Sequence, residues 1–126
     1  MAKKEFTYRG KLLEELKEMD IKDFIKLLPS RERRSLKRGF TEECKILMRE
    51  LNKKDNVKTH CRELIILPKI VGKRLRVHNG KEFVIIIIEP EMIGHRLGDL
   101  VLTRKGVSHS SPGIGATKSS SNISVK

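Results

Sequence analysis

The sequence predicts a small α+β protein, one domain with extensions. Between residues 11 and 51, apolar residues recur at steps of three and four, which is the spacing of one helix face. Between residues 57 and 103 the pattern changes to polar–apolar alternation and a six-residue apolar run, as in strands. From residue 104 onward the chain is rich in Ser and Gly and contains no acidic residue. We expect an amino-terminal arm and helices over 1–56, a small antiparallel three-stranded sheet with an inserted short helix over 57–103, and an extended basic tail over 104–126.

Two helices are expected to follow a flexible, basic arm over residues 1–10. One apolar face identifies the first helix, and it is formed by Leu12, Leu13, Leu16 and Met19. Asp20 can cap the second helix, because its carboxylate accepts hydrogen bonds from the free N–H groups at the helix start. Pro29 ends that helix, since its ring clashes with the preceding turn.

Two more helices are expected before the sheet. Ser30 can cap the third, over Arg31–Arg38, and Gly39 closes it. The fourth begins at Thr41, and its apolar stripe is formed by Cys44, Leu47, Met48 and Leu51. Residues 52–56 are a polar linker to the strands.

Alternation and a turn signal predict the main strands. Arg74–His78 alternates between polar and apolar residues, so one face is buried. Asn79-Gly80 tolerates the positive φ angles of a two-residue type I′ turn. The return strand, Glu82–Ile88, is apolar from Phe83 onward, which predicts a central strand covered on both faces.

Shorter elements complete the expected core. Leu64–Leu67, which Pro68 ends, is either a buried segment or a strand. Pro90 suits the first turn of a short inserted helix over Glu91–Leu97. Leu100–Leu102 is the third candidate strand of the sheet.

The charge balance predicts a polyanionic partner. The 126 residues include 28 Lys and Arg against 16 Asp and Glu, a net charge of +12. Nucleic acid is the first candidate and an anionic membrane surface the second. The longest apolar run is far below the roughly 20 residues of a membrane span, and the amino terminus lacks the apolar region of a secretory signal. Two cysteines without a C-x-x-C spacing favour a reducing, intracellular compartment.

The densest basic stretch is Ser30–Arg38, with five cations and one anion. On a helix, Arg31, Arg34 and Arg38 share one face. Like charges at this spacing destabilise an isolated helix, whereas a phosphate backbone would turn the repulsion into attraction. The alternative interpretation is a solvated helix face.

A second group of cations surrounds the strands. Period two places the three basic residues of 58–62 on one strand face, and Arg74 with Arg76 on another. A cationic sheet face suits RNA docking, and the alternative is a set of edge strands protected by charge. We expect Phe83 in the core, and therefore recognition of RNA shape and backbone rather than of single-stranded bases.

No motif indicates catalysis, a metal or a cofactor. The four histidines have no zinc-type spacing, and Ser108-His109-Ser110 lacks a nearby carboxylate. Cys61 would need a positioned base to act as a nucleophile, and a small buried cysteine is the commoner case. We expect no enzyme activity, no cofactor and no small-molecule substrate.

Several ordered motifs resemble the universal small-subunit ribosomal protein S-nineteen family. Within roughly residues 30–118 they are Arg33–Gly39, Lys58–Arg62, Leu67–Gly72, Val77–Phe83, Pro90–Gly98 and Thr103–Lys105. The helical start, Phe6–Leu28, and the ending Pro112–Thr117 are similar to the archaeal and eukaryotic branch, in which the eukaryotic member is called S-fifteen.

The resemblance implies a structural protein in the head of the small ribosomal subunit, on a cytosolic ribosome. It implies binding to small-subunit rRNA and pairing with a protein of the S-thirteen family, near the bridges to the large subunit. Charge and resemblance together give these candidate RNA-binding residues: Arg31, Arg33, Arg34, Lys37, Arg38, Lys58, His60, Arg62, Lys73, Arg74, Arg76, His78, Asn79, Lys81, His95, Arg96, Arg104, Lys105, His109 and Lys118. The resemblance also implies that the tail reaches the decoding site and A-site tRNA through Pro112, Gly113, Ile114, Gly115, Ala116, Thr117 and Lys118.

A protein–protein interaction module is the alternative function. The apolar stripes Leu12–Met19 and Cys44–Leu51 could dock a partner helix, although such stripes more often form a protein's own core.

Overall fold

The helices precede the main strands along the chain, as the sequence predicts. The computed structural model describes residues 2–108. In that range the helices are α1 (Leu13–Glu18), α2 (Ile21–Leu27), α3 (Ser30–Lys37) and α4 (Glu42–Lys53). The strands of the same range are β1 (Thr7–Tyr8), β2 (Lys11–Leu12), β3 (Val57–Thr59), β4 (Arg74–His78) and β5 (Phe83–Ile87). The α+β class is confirmed, and most of the expected tail lies outside the described residues.

The amino-terminal segment forms a hairpin where a flexible arm was expected. β1 and β2 pair antiparallel, with Tyr8 opposite Lys11. Arg9 and Gly10 have φ angles of 52° and 79°, as a two-residue type I′ turn requires. Phe6 and Tyr8 pack against the helices, which fixes the hairpin on the fold.

Polar side chains start two of the helices as predicted. Asp20 caps α2, where its carboxylate accepts a hydrogen bond from the next backbone N–H at 2.8 Å. Thr41 caps α4, where its hydroxyl accepts from the N–H of Cys44 at 3.4 Å. The expected Ser30 cap is wrong, because Pro29 is the N-cap and Ser30 is already helical.

The main sheet is mixed, with strand order β3-β4-β5. β4 and β5 are antiparallel as expected, whereas β3 runs parallel to β4. The expected strand Leu100–Leu102 is wrong, since Leu100 ends a 3-10 segment. The Val101 carbonyl accepts a hydrogen bond from the Arg62 guanidinium rather than from a neighbouring strand.

β5 is an edge strand, not the central strand that its apolar sequence predicts. β4 lies in the middle of the sheet. Ile86 is buried, whereas Ile85 and Ile87 are 59% and 54% exposed. The apolar run therefore covers the core with one face and leaves isoleucines on the outer face.

The turn between β4 and β5 differs from the predicted type I′ turn. Of the Asn79-Gly80 pair only Gly80 has a positive φ, of 103°. The Asn79 side chain instead accepts hydrogen bonds from the N–H groups of Lys81 and Glu82, at 2.9 and 2.8 Å. This local side-chain bonding holds a wider loop, as Asn residues commonly do in turns.

Two 3-10 segments, Pro90–Met92 and Leu97–Leu100, replace the expected helix over Glu91–Leu97. Gly94 has a φ of 86°, so a right-handed helix cannot pass through it. Its N–H donates to the Ile66 carbonyl at 3.1 Å, which ties this loop to a buried segment.

That segment, Leu64–Leu67, serves both parts of the core. Leu64 and Ile66 pack with α4 and the main sheet, whereas Ile65 and Leu67 pack with α1, α2 and α3. Alternate side chains of an extended chain point to opposite sides, so one segment joins two apolar clusters.

The buried members of the two predicted helix stripes are Leu16, Cys44, Leu47 and Leu51. The stripes therefore build the protein's own core, which removes the main support for the interaction-module alternative.

Gly94→Ala is expected to lower the free energy of unfolding by about 1–3 kcal/mol. A Cβ at this position would lie 2.9 Å from the Tyr8 hydroxyl and 3.3 Å from Leu28 Cδ2, so a steric clash adds to backbone strain. Gly72 has a similar φ of 87° with nothing near its Cβ position, and Gly72→Ala is the control that carries strain alone. Urea denaturation of both variants measures the difference. An equal loss in the free energy of unfolding of the two variants would contradict the close approach of the hairpin to Gly94.

Candidate nucleic-acid interface

Helix α3 and its last turn present exposed cations. Four exposed residues fall at helical steps of three and four, and we call them the helix patch: Arg31, Arg34, Lys37 and Arg38. The one acid of α3, Glu32, has only 13% of its side chain exposed and lies 3.4 Å from Arg31 Nε. The other three cations have no salt-bridge partner among residues 2–108. The patch therefore has an almost uncompensated positive charge.

Two other predicted cations of this region have partners within the fold. Arg33 Nη2 donates to the carbonyls of Lys26 and Leu28 at 3.2 and 3.0 Å, which satisfies the carboxyl end of α2. Arg96 Nη2 donates to Ser35 Oγ at 2.7 Å and so ties the loop after β5 to α3. The guanidinium groups of Arg33 and Arg96 therefore form hydrogen bonds that join neighbouring elements of the fold.

Arg62 is likewise directed into the fold. Its Nη1 donates to the His78 carbonyl at 2.7 Å, and its Nη2 donates to the carbonyls of Gly98 and Val101, both at 2.9 Å. β3 ends at Thr59, so Arg62 does not extend the strand face as the alternation predicts. The side chain instead joins the end of β4 to the 97–101 segment.

The main sheet carries a second basic surface on its outer face. The strand register places Lys58 beside Arg76, and Arg76 opposite Ile85. The alternate residues of β4, Leu75 and Val77, are fully buried against the core. We call the outer surface the sheet face, and its residues are Lys58, His60, Arg74, Arg76, His78, Phe83, Ile85 and Ile87. The predicted cationic face is present on β3 and β4, and β5 adds apolar side chains to it.

Three rings meet at one end of the sheet face, and we call His60, His78 and Phe83 the ring cluster. The centroids of His60 and His78 are 4.6 Å apart with an interplanar angle of 30°. The Phe83 ring is steeply inclined to both, at 5.2 and 4.9 Å, and Lys58 Nζ lies 5.5 Å from its centroid. The expected core position of Phe83 is wrong. A signal existed in the sequence, because pairing across the predicted Asn79-Gly80 turn puts Phe83 on the same face as the polar residues Arg74 and Arg76.

The remaining candidates lie around these two surfaces. Lys73 Nζ donates to the Leu51 carbonyl at 2.5 Å, at the end of α4. Lys105 pairs with Glu82 at 3.3 Å on the surface. The other described candidates at least partly accessible to solvent are Asn79, Lys81, His95 and Arg104. The candidates outside the described residues are His109, Pro112–Thr117 and Lys118.

The two cysteines are packing residues. Both are buried, and their Sγ atoms lie 3.2 Å apart. Burial, and then the hydrogen bond with the Cys44 thiol, raise the pKa of Cys61 to about 12. A thiol that stays protonated is a poor nucleophile. Among residues 2–108, no three His, Cys, Asp or Glu side chains group closely enough to hold a metal ion.

The helix patch and the sheet face lie almost entirely within a stretch that matches a known family. The family model described as ribosomal protein S19 matches residues 32–109. The chain belongs to the ribosomal protein S19 family. This S19-family protein is therefore a structural ribosomal protein and not an enzyme.

A second comparison extends the S19 match to the amino-terminal helices. The small ribosomal subunit protein uS19 of Methanococcoides burtonii is 51% identical over 125 residues, which are 98% of this chain and 91% of that protein. The predicted family, in its archaeal and eukaryotic branch, is thereby confirmed. In the described part of this S19-family protein, no helix is long and apolar enough to cross a membrane.

Proposed function

We propose that this protein is a structural component of the small ribosomal subunit, in its head, and that it binds small-subunit rRNA through the helix patch and the sheet face. Membership of the S19 family and the name of the Methanococcoides relative support the small-subunit assignment. The helix patch is the observation that carries RNA binding, because four exposed cations lie on or directly after an eight-residue helix whose one acid is turned inward.

Phosphate groups give a physical reason for this concentration of charge. Cations three and four positions apart on a helix repel each other, at a cost of a few tenths of a kcal/mol per pair. Phosphates placed between them make the interaction attractive, and each guanidinium can bind phosphate through two parallel hydrogen bonds. Contacts of this kind position a protein on RNA without reading its sequence.

The family resemblance supports a wider set of contacts in the proposal. These are pairing with a protein of the S-thirteen family, contact of tail residues 112–118 with A-site tRNA near the decoding site, and a position near a bridge to the large subunit, on cytosolic ribosomes. The composition of residues 104–126 supports the tail's part in this, because a segment with basic residues and no acid of its own attracts phosphate.

Salt dependence tests the RNA-binding proposal. If the four cations of the helix patch neutralise four phosphates, a plot of log K against log[salt] should have a slope of roughly −3 to −3.6. Affinity for a fragment of head rRNA should then fall roughly 60- to 150-fold between about 0.05 and 0.2 M salt. Filter binding of the full chain measures this slope, and a slope near zero would contradict the proposal.

Sedimentation tests the small-subunit assignment separately. The tagged full-length protein, expressed in cells, should migrate with the small-subunit peak of a sucrose gradient and with assembled ribosomes. A tagged protein found only in the soluble fractions at the top of the gradient would overturn the assignment.

A further inference from the structure

We propose that the sheet face binds an unpaired base of single-stranded RNA, stacked on the ring cluster. The inference rests on the proposed function and adds a base-binding site to the backbone contacts of the helix patch. The ring cluster combines one exposed and two half-buried rings with neighbouring cations, on one face of a sheet whose opposite face is buried.

The rings are held in place before any ligand arrives. His78 and Phe83 are directly paired residues of adjacent strands. The Nδ1 atom of His78 accepts a hydrogen bond from the Gly80 N–H at 3.0 Å, which fixes the imidazole orientation. Because the rings are already ordered, a base that stacks on them would not bear the entropic cost of ordering them.

The ring arrangement suits a flat, uncharged partner. Sheets that bind single-stranded RNA use aromatic side chains on adjacent strands as stacking surfaces for splayed bases. Every base has a π-face, so such stacking tolerates different sequences. A paired base inside a duplex does not expose that face, and the site therefore selects an unpaired nucleotide in a loop, bulge or single strand.

The cations beside the rings suit the phosphates of the same strand. Lys58 and Arg76 stand one row along the strands from the ring cluster, a spacing of roughly 6.6 Å. Arg76 Nε donates to Asn56 Oδ1 at 3.0 Å, which holds the guanidinium at the surface. Neither Lys58 nor Arg76 has a salt-bridge partner in the described part of the chain.

The nearby acids indicate where the strand would run. Glu43 and Glu50 line the groove beside Lys58 and His60, on the α4 side of β3. We therefore expect the phosphates over β4, near Arg76, and away from that groove.

Charge distinguishes RNA from a protein as the occupant of this face. The exposed Ile85 and Ile87 could equally be covered by an apolar protein surface. Ile85 and Ile87 are, however, paired directly with Arg76 and Arg74 of the neighbouring strand. An apolar partner would bury these guanidinium groups without counter-charges, which is costly, whereas a nucleotide supplies both an apolar base and a phosphate.

A fluorescent single strand tests the inference. The probe is a single-stranded RNA oligonucleotide with one 2-aminopurine, whose fluorescence falls when the base stacks. Wild-type full chain should quench this fluorescence. Phe83→Leu should remove the quench and lower the affinity for the single strand roughly 5- to 150-fold. Its affinity for the duplex formed with the complementary strand should fall by less than about two-fold, because paired bases do not expose a face to the rings and the cations of both the helix patch and the sheet face are unchanged.

Two further variants keep the test interpretable. Phe6→Leu makes the same chemical change in a half-buried ring that packs on the amino-terminal helices, and it should leave both affinities unchanged. His60→Ala removes an exposed ring and should also weaken single-strand binding, which covers the case in which Phe83→Leu fails to fold.

The outcomes separate this inference from the proposed function. In one outcome the wild type binds the duplex, and neither ring variant alters single-strand binding or quenching. This outcome would overturn the base site and leave the proposed function standing. In another outcome the ring variants bind both RNAs normally but no longer retain a protein of the S-thirteen family in a pull-down. This outcome would show that the sheet face binds a protein, and it would also overturn the base site. Failure of the wild type to bind either RNA would overturn both proposals.

Discussion

The double charge reversal Arg34→Glu/Lys37→Glu is expected to lower the affinity for head rRNA by about 100-fold or more at physiological salt. A hydrogen bond to a charged group contributes about 1.5–3 kcal/mol, and the new carboxylates add repulsion from the phosphates. The slope of log K against log[salt] should also become shallower by about two. Filter binding across a salt series measures both quantities.

A charge-matched variant provides the control for this experiment. Lys17→Glu/Lys22→Glu reverses two exposed cations of α1 and α2 and lowers the net charge by the same four units. It should reduce RNA affinity only through the smaller overall charge. Both double variants should unfold within about 0.5 kcal/mol of wild type, since all four side chains are on the surface. Equal losses of affinity in the two would show that total charge, and not the helix patch, drives binding.

Local patterns were sufficient to predict the four helices that precede the main sheet and their exposed charge. The Thr41 cap and the Cys44–Leu51 stripe identify α4 because both signals act within one or two turns. The same holds for the exposure of Arg34 and Lys37, which follows from their helical spacing relative to the buried Leu36. Nothing distant in the chain is needed to place these side chains.

Strand pairing depended on distant residues and was predicted less well. β3 joins the sheet beside β4, whose first residue lies fifteen positions after the end of β3, and the three residues Val57–Thr59 carry no signal of that partner. The edge position of β5 follows from this pairing, because β3 occupies the other side of β4. An apolar run alone cannot tell an edge strand from a central one, and the exposed sheet face was missed for that reason.

The arginines show the same limit for the candidate site. Arg62 and Arg74 have the same charge, yet of the two only Arg62 reaches backbone carbonyls from two other parts of the chain. Whether a guanidinium finds such acceptors depends on where loops and strand ends meet. Charge therefore predicted the exposure of the helix patch, but it could not show that the guanidinium of Arg33 donates to carbonyls of the fold.

Arg62→Met is expected to destabilise the protein by about 2–4 kcal/mol, which for a domain of this size lowers the melting temperature by roughly 10 °C or more. The substitution keeps an unbranched apolar stem but removes three charge-assisted hydrogen bonds. Each carbonyl left without its donor costs free energy unless water can reach it. Thermal unfolding followed by circular dichroism measures the loss. Arg74→Met makes the same change at an exposed guanidinium and should cost less than about 0.5 kcal/mol.

RNA binding by the folded Arg62 variant separates a structural role from an RNA contact. Below its melting transition, Arg62→Met should bind head rRNA within about three-fold of wild type, because the guanidinium that it removes donates to carbonyls of the fold and not to solvent. Arg62→Lys should recover only part of the stability, since an ammonium group cannot span the separated carbonyls as the planar guanidinium does. Unchanged stability together with a large loss of RNA affinity would instead place Arg62 among the RNA contacts. The geometry argues against that result. The Arg62 guanidinium is hydrogen-bonded to carbonyls at the end of β4 and in the 97–101 segment, and it must break these bonds before it can turn toward a phosphate.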